Sequence, residues 1–141
     1  MAITQAICTS FKQELMEGVH DFQVAGDSLK VALYLTAATL DASTTAYSAT
    51  NETSGTGYTA GGAALTNIAP TTSGTTAYID FSDVSWTTAS FTARGALIYN
   101  TSDSNKAIAV LDFGADYIVT AGTFTIVWPT ADASNAILRI A

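Results

Sequence analysis

Apolar residues recur with two different periods along this chain. Near the start, Ile7, Cys8, Phe11, Leu15, Met16 and Val19 return at steps of three or four, which gathers them on one face of a helix. The spacing predicts a helix over residues 4–18, with Gly18 just past its end. Ser10 as N-cap is an alternative, shorter start. From Leu29 the period becomes two: Leu29, Val31, Leu33 and Leu35 alternate with Lys30, Ala32, Tyr34 and Thr36. That pattern predicts a strand with one buried face. Residues 39–62 carry few large apolar side chains, with Tyr47 and Tyr58 as their anchors, and read as an ordered excursion across the end of a sheet.

Further strands are predicted over 64–69, 77–81 and 91–100, the last leading into a hairpin loop of turn formers over 100–105. In the strand at 107–113, Ile108 and Val110 face one way and Leu111 and Phe113 the other, the mark of a central strand covered on both sides. Turns are expected at Gly114-Ala115-Asp116 and at Ala121-Gly122, separating strands at 117–120, 123–128 and 136–140. About eight short antiparallel strands, none followed by a helical crossover, predict an all-β fold. The expectation is a jelly-roll-like β-sandwich or barrel with a short N-terminal helix. It forms one domain over 1–141, a helical N-terminal arm over 1–23 and a β-sandwich over 24–141.

A helix this short is marginal alone and needs something to cover its apolar stripe. The cover is either the chain's own β-core or another subunit. Phe11, Leu15, Met16, Val19 and Phe22 are therefore the candidate interface residues.

Composition narrows the partners. Charged residues make up 12% of the chain, about half the usual share, and the net charge is −7. Nucleic-acid binding needs clustered cations, whereas Lys12, Lys30, Arg94, Lys106 and Arg139 are scattered. Neither a nucleic acid nor an anionic membrane is an expected partner. No stretch approaches the roughly eighteen apolar residues of a membrane span, and residues 1–10 do not read as a secretory signal. A charge-poor Thr/Ser/Ala surface does suit the centre of a protein interface.

Chemistry is poorly supplied. His20 and Cys8 are the single histidine and single cysteine, too few for a zinc site, and any His-based triad would have to use His20. His20 reads as an ordinary surface or interface residue. Asn100, Asp103 and Asn105 could offer oxygens to calcium, but a plain hairpin turn fits them better. Asp80, Asp83, Asp112 and Asp116 sit at strand ends and turns, where Asp serves local hydrogen bonding. No catalytic residue, metal or cofactor is expected. Arg94, inside a strand, requires a carboxylate, and Asp80 or Asp112 is the candidate partner in an internal pair. Exposed Tyr47, Tyr58, Trp86 or Trp128 would be stacking platforms if the chain were a carbohydrate-binding module.

Several stretches are carried in a telling order: Ser10-Phe-Lys-Gln-Glu-Leu-Met-Glu-Gly-Val-His20, Leu29-Lys-Val-Ala-Leu-Tyr-Leu35, Gly55-Thr-Gly-Tyr-Thr-Ala-Gly-Gly62, Thr92-Ala-Arg-Gly-Ala-Leu-Ile-Tyr-Asn100 and Val110-Leu-Asp-Phe-Gly114. Together they resemble a family of small tailed-phage virion proteins described as capsid cement, decoration or head-fibre proteins, among them a podoviral jelly-roll cement protein. The resemblance implies a jelly-roll-like protein on the capsid exterior, made in the bacterial cytoplasm. Its partners would be the major capsid protein and other copies of itself, as a dimer or trimer.

Overall fold

The computed structural model describes residues 2–141. Its elements run β1 (Ala6–Ile7), α1 (Thr9–Met16), β2 (Leu29–Tyr34), β3 (Ala63–Ala64), β4 (Asn67–Ser73), β5 (Thr76–Phe81), β6 (Val84–Asn100), β7 (Lys106–Ile126) and β8 (Leu138–Ile140). A five-stranded sheet has the order β1-β7-β6-β2-β3, and a three-stranded sheet the order β4-β5-β8. Every named pairing is antiparallel, and one apolar core draws on both sheets. The chain is an all-β sandwich with one short helix, as the strand and turn spacing predicts.

The helix is shorter than its periodicity implies. Ala6 and Ile7 pair with Val110 and Ala109, and the Cys8 N–H donates to the Ile108 carbonyl at 3.0 Å. Joining the sheet satisfies backbone groups that a helical start would leave open. Cys8, extended at φ −64° and ψ 136°, is the N-cap, so the helix begins later than residue 4 and earlier than a Ser10 cap would set it. At the far end Gly18 does follow the last turn, and the Val19 N–H reaches back to the Glu14 carbonyl at 3.0 Å.

Two other expectations change. The strand from Leu29 is buried on both faces from Val31 to Tyr34, not wet along one of them; β2 lies between β6 and β3 in its sheet. The turns expected at Gly114 and Ala121 do not reverse the chain. β7 runs through both as one strand from Lys106 to Ile126, and β6 extends back to Val84, well before the predicted start at residue 91. Gly114 at φ 81° and Ala121 at φ 46° instead fall where the β6–β7 register shifts. Turn-forming residues here make bulges, which need the same left-handed backbone as a turn.

The 39–62 excursion is pinned, not loose. The Tyr34 hydroxyl donates to the Ser48 carbonyl at 2.7 Å, and the Thr53 hydroxyl to the Thr92 carbonyl at 2.8 Å. Thr56 bridges to Ser90, so the excursion takes the place beside β6 that β2 vacates at Tyr34.

Candidate functional site: an apolar groove beside the N-terminal helix

Between α1 and the three-stranded sheet lies a groove of about 360 Å³. Ile79 of β5 and Leu138 of β8, opposite each other in the ladder, are its buried contributions from the sheet. Leu15 and Phe22 line it from the N-terminal side, both half-buried. Pro70 reaches it from β4, where the ladder to β5 shifts register between Ile68 and Thr71. Ile7 and Ile140 also line it and are exposed, Ile140 to 61%. The groove therefore opens onto an apolar margin, not into a closed chamber.

Its charge is one-sided. Lys12 and Arg139 both line it, while no Asp or Glu does, in a chain with five cations and twelve acids. Lys12 makes no ion pair among the described residues. Arg139 donates one guanidinium N–H to the Ala133 carbonyl at 3.1 Å. The nearby Asp132 is held below the usual carboxylate range chiefly by hydrogen bonds from Asn135 and Ser134, with the Arg139 charge contributing least.

Of the candidate interface residues, three meet here and two do not. Leu15 and Phe22 present partly open surface to the groove, but Phe11, although it lines it, is only 4% exposed. Phe11 packs in the chain's own core, its ring 5.0 Å from His20 and 5.9 Å from Phe22 between centroids. Phe11 is thus covered within its own chain, His20 and Phe22 lying against its ring, and is not a free contact residue. Val19 is half-buried away from the groove, and Met16, 89% exposed, points elsewhere.

His20 is buried, not a surface residue. Its Nδ1 lies 2.9 Å from the Asn100 side-chain nitrogen and its Nε2 3.1 Å from Glu14 Oε1. Asn100 Oδ1 accepts from the Ser102 N–H at 2.9 Å, and Asn100 Nδ2 also donates to Asp27 Oδ2 at 2.7 Å. That fixes the amide orientation, makes Nδ1 the acceptor and places the imidazole proton on Nε2, donated to Glu14. Lys106 approaches the other Glu14 oxygen at 3.4 Å. The network ties helix, arm and hairpin loop together. The Asn100 amide contacts the Asp103 carboxylate in the same loop, at 3.3 Å. Cys8 is buried, and desolvation, helped by the Asp41 and Glu14 charges, pushes its thiol up to about 11. It stays protonated and unreactive at neutral pH.

Arg94 pairs with Asp112 at 3.2 Å. Asp80 is not its partner; it sits on β5 opposite Ile68 with one carboxylate oxygen buried. The aromatic platforms are also taken up internally. Trp86 and Trp128 are buried, Trp128 donating its indole N–H to the Ser82 carbonyl at 3.0 Å. Tyr47 stacks on Tyr99 at 4.7 Å, and Tyr58 packs against Trp86 and Phe91. Both Tyr47 and Tyr58 donate to Glu52 at 2.7 Å, as does the Gly61 N–H. Burial, followed by the hydrogen bond to Glu52, raises both phenols well above their ordinary range. These side chains hold the excursion down; Tyr47 and Tyr58 are half-buried rather than exposed platforms.

Sequence reading missed Lys12 and Arg139 as a pair, since 127 positions separate them and nothing in either neighbourhood links them. It also missed β5, β8 and Pro70 as the groove's other wall. The apolar alternation at 77–81 was visible, but which element faces it is decided by the layering. The chain matches no family model, no curated protein and no solved structure.

Proposed function

We propose that this protein is a structural component of a tailed-phage virion that binds the outside of the capsid and stabilises contacts between major capsid protein subunits. The observation that carries the reading is the groove: an apolar depression with an exposed apolar margin, built partly from residues the helix pattern marks as an interface. Exposed apolar surface gathered in one place marks a protein contact more often than scattered apolar residues do. The sequence resemblance supplies the capsid as the surface bound, and the virion exterior as the location, after synthesis in the bacterial cytoplasm. A charge-poor exterior fits permanent packing beside other subunits, including further copies of this chain.

The physical role follows from linkage. A protein that binds the assembled shell and not its dissociated parts stabilises the shell by mass action, and many copies on one lattice add avidity. The test is to add the purified protein to shells that lack it and follow their heat-induced opening. The expected result is a higher opening temperature that saturates with added protein. Ile140→Asp, which sets a charge on the exposed margin, should abolish the rise while the free protein stays folded. Shells that neither bind the protein nor open at a higher temperature would refute the reading.

A further inference from the structure

We infer that the groove receives a short polypeptide segment of the partner protein, which seats apolar side chains between Leu15, Ile79 and Leu138 and sets a carboxylate beside Lys12 and Arg139. The inference rests on the docking role proposed above and adds the chemistry of what docks. Charge complementarity carries it. A chain of net charge −7 repels an acidic partner over most of its surface, yet its apolar groove is lined by two cations and no acid. Lys12 is free of ion pairs among the described residues, so its charge is available to an incoming carboxylate.

The shape argues for a segment of protein and against a small amphipathic anion such as a fatty acid. Small-molecule sites usually enclose most of their ligand's surface, in volumes of about 300–1,000 Å³. This groove is near the small end of that range, and Ile7 and Ile140 on its lining are exposed. A single bound chain molecule would leave that margin wet. A protein surface carrying one inserted segment would cover it.

Two five-residue peptides with blocked ends serve as probes, one with Leu-Ile-Leu flanked by Asp on both sides and one with the same core flanked by Lys. Titrations are followed by the amide NMR signals of Leu15, Ile79 and Ile140. The acidic peptide should move those signals and bind about tenfold tighter than its twin, a difference of about 1.4 kcal/mol. The preference should vanish at about 1 M salt, where the screening length falls to about 3 Å, and in the Lys12→Gln/Arg139→Gln double variant. The charge-preserving Lys12→Arg/Arg139→Lys variant should retain it, which separates loss of charge from loss of fold.

Equal binding of the two peptides, a preference for the lysine twin, or no movement of the signals up to about 1 mM peptide each overturns the inference. Tighter binding of decanoate than of the acidic peptide overturns it in favour of a lipid anion. Failure of the docking reading is distinguishable: there the wild-type protein leaves shells unaltered while the acidic peptide still binds. If shells are stabilised equally by the double-glutamine variant, docking stands and the groove assignment falls.

Discussion

β6 and β7 form one continuous ladder whose two halves live in different surroundings. In the inner half, Leu97↔Val110 and Ile98↔Ala109 pair in the middle of the large sheet, with β2 beyond β6 and β1 beyond β7, and residues 107–110 are all buried. In the outer half, Val84↔Ile126 to Ala93↔Tyr117, no third strand lies beyond β7 among the described residues, and residues 114–118 are all exposed. Only one side of the outer ribbon is packed, by Trp86, Phe91 and Phe124 against one another and against Tyr58. The same backbone pairing is thus covered on both faces in one half, while the other half gives Val84, Trp86, Ala89, Phe91, Ala93 and Ile126 to the core and leaves much of the rest exposed. Hydrogen-bonded strands do not make a core; a second layer does.

The difference also bears on solubility. A long free edge with no charge from Tyr117 to Ile126 would invite further strands to add. Register shifts between Trp86 and Ala89, and again between Ala89 and Phe91, fall in this half. Bulges bend and twist a ribbon away from the flat geometry that strand addition needs.

The largest contrast between the halves is expected from one methyl-rich side chain in each. Ile98 is fully buried and Ile118 is 74% exposed. Ile98→Ala should cost about 2–5 kcal/mol through lost burial and the cavity left behind. Ile118→Ala should stay within about 0.5 kcal/mol of wild type. Denaturant midpoints measure both. Comparable losses at the two sites would mean that the ribbon is covered in solution and that the two halves do not differ as described.

Two glycines give a smaller contrast. A Cβ on Gly95 would lie 2.5 Å from the Leu111 carbonyl oxygen and 2.9 Å from Ile3 Cγ2, so Gly95→Ala forces strands apart in the packed half. It should cost towards the upper end of the about 1–3 kcal/mol seen for overpacking. Gly114, at φ 81°, has nothing within 4 Å of such a Cβ. Gly114→Ala meets only backbone strain, about 1–2 kcal/mol. A Gly114→Ala loss as large as the Gly95→Ala loss would show that the bulge is packed against something.

These sites also show where sequence stopped being informative. Apolar positions on both faces of 107–113 predict a covered strand, because burial on two sides leaves a two-sided pattern. Residues 107–110 are buried, whereas Leu111 and Phe113, which carry the second face of that pattern, are half-buried. In the outer half, Gly114-Ala115-Asp116 has the residues of a turn, yet forms a bulge inside β7, since both structures use the same left-handed backbone. The helix stripe was legible at Phe11 and Leu15, but Ala6–Ile7 went to the sheet because β7 offered an unpaired edge there. Local sequence does not record that offer. The groove's residues were legible on its helical side alone. Its other wall, Ile79, Leu138 and Arg139, comes from strands brought opposite by the layering.

The smallest effect belongs to the junction itself, where Arg94 meets Asp112 and Gly95 pairs with Asp112 across the ladder. The Asp112 carboxyl is held below its usual range first by the Gly114 N–H, at 2.9 Å, and then by Arg94. A carboxyl lowered by folding adds stability above the unfolded pKa of about 3.9, and that contribution is lost as pH falls through the folded value. Arg94→Met should therefore move the Asp112 titration, read from its side-chain carboxyl NMR signal, part of the way up. It should not reach the unfolded value, because the Gly114 bond remains. A full return would make Arg94 the dominant partner and the bulge incidental to Asp112. No movement would mean that the pair, one-quarter to one-third exposed on both sides, is dissolved by water, as exposed pairs often are.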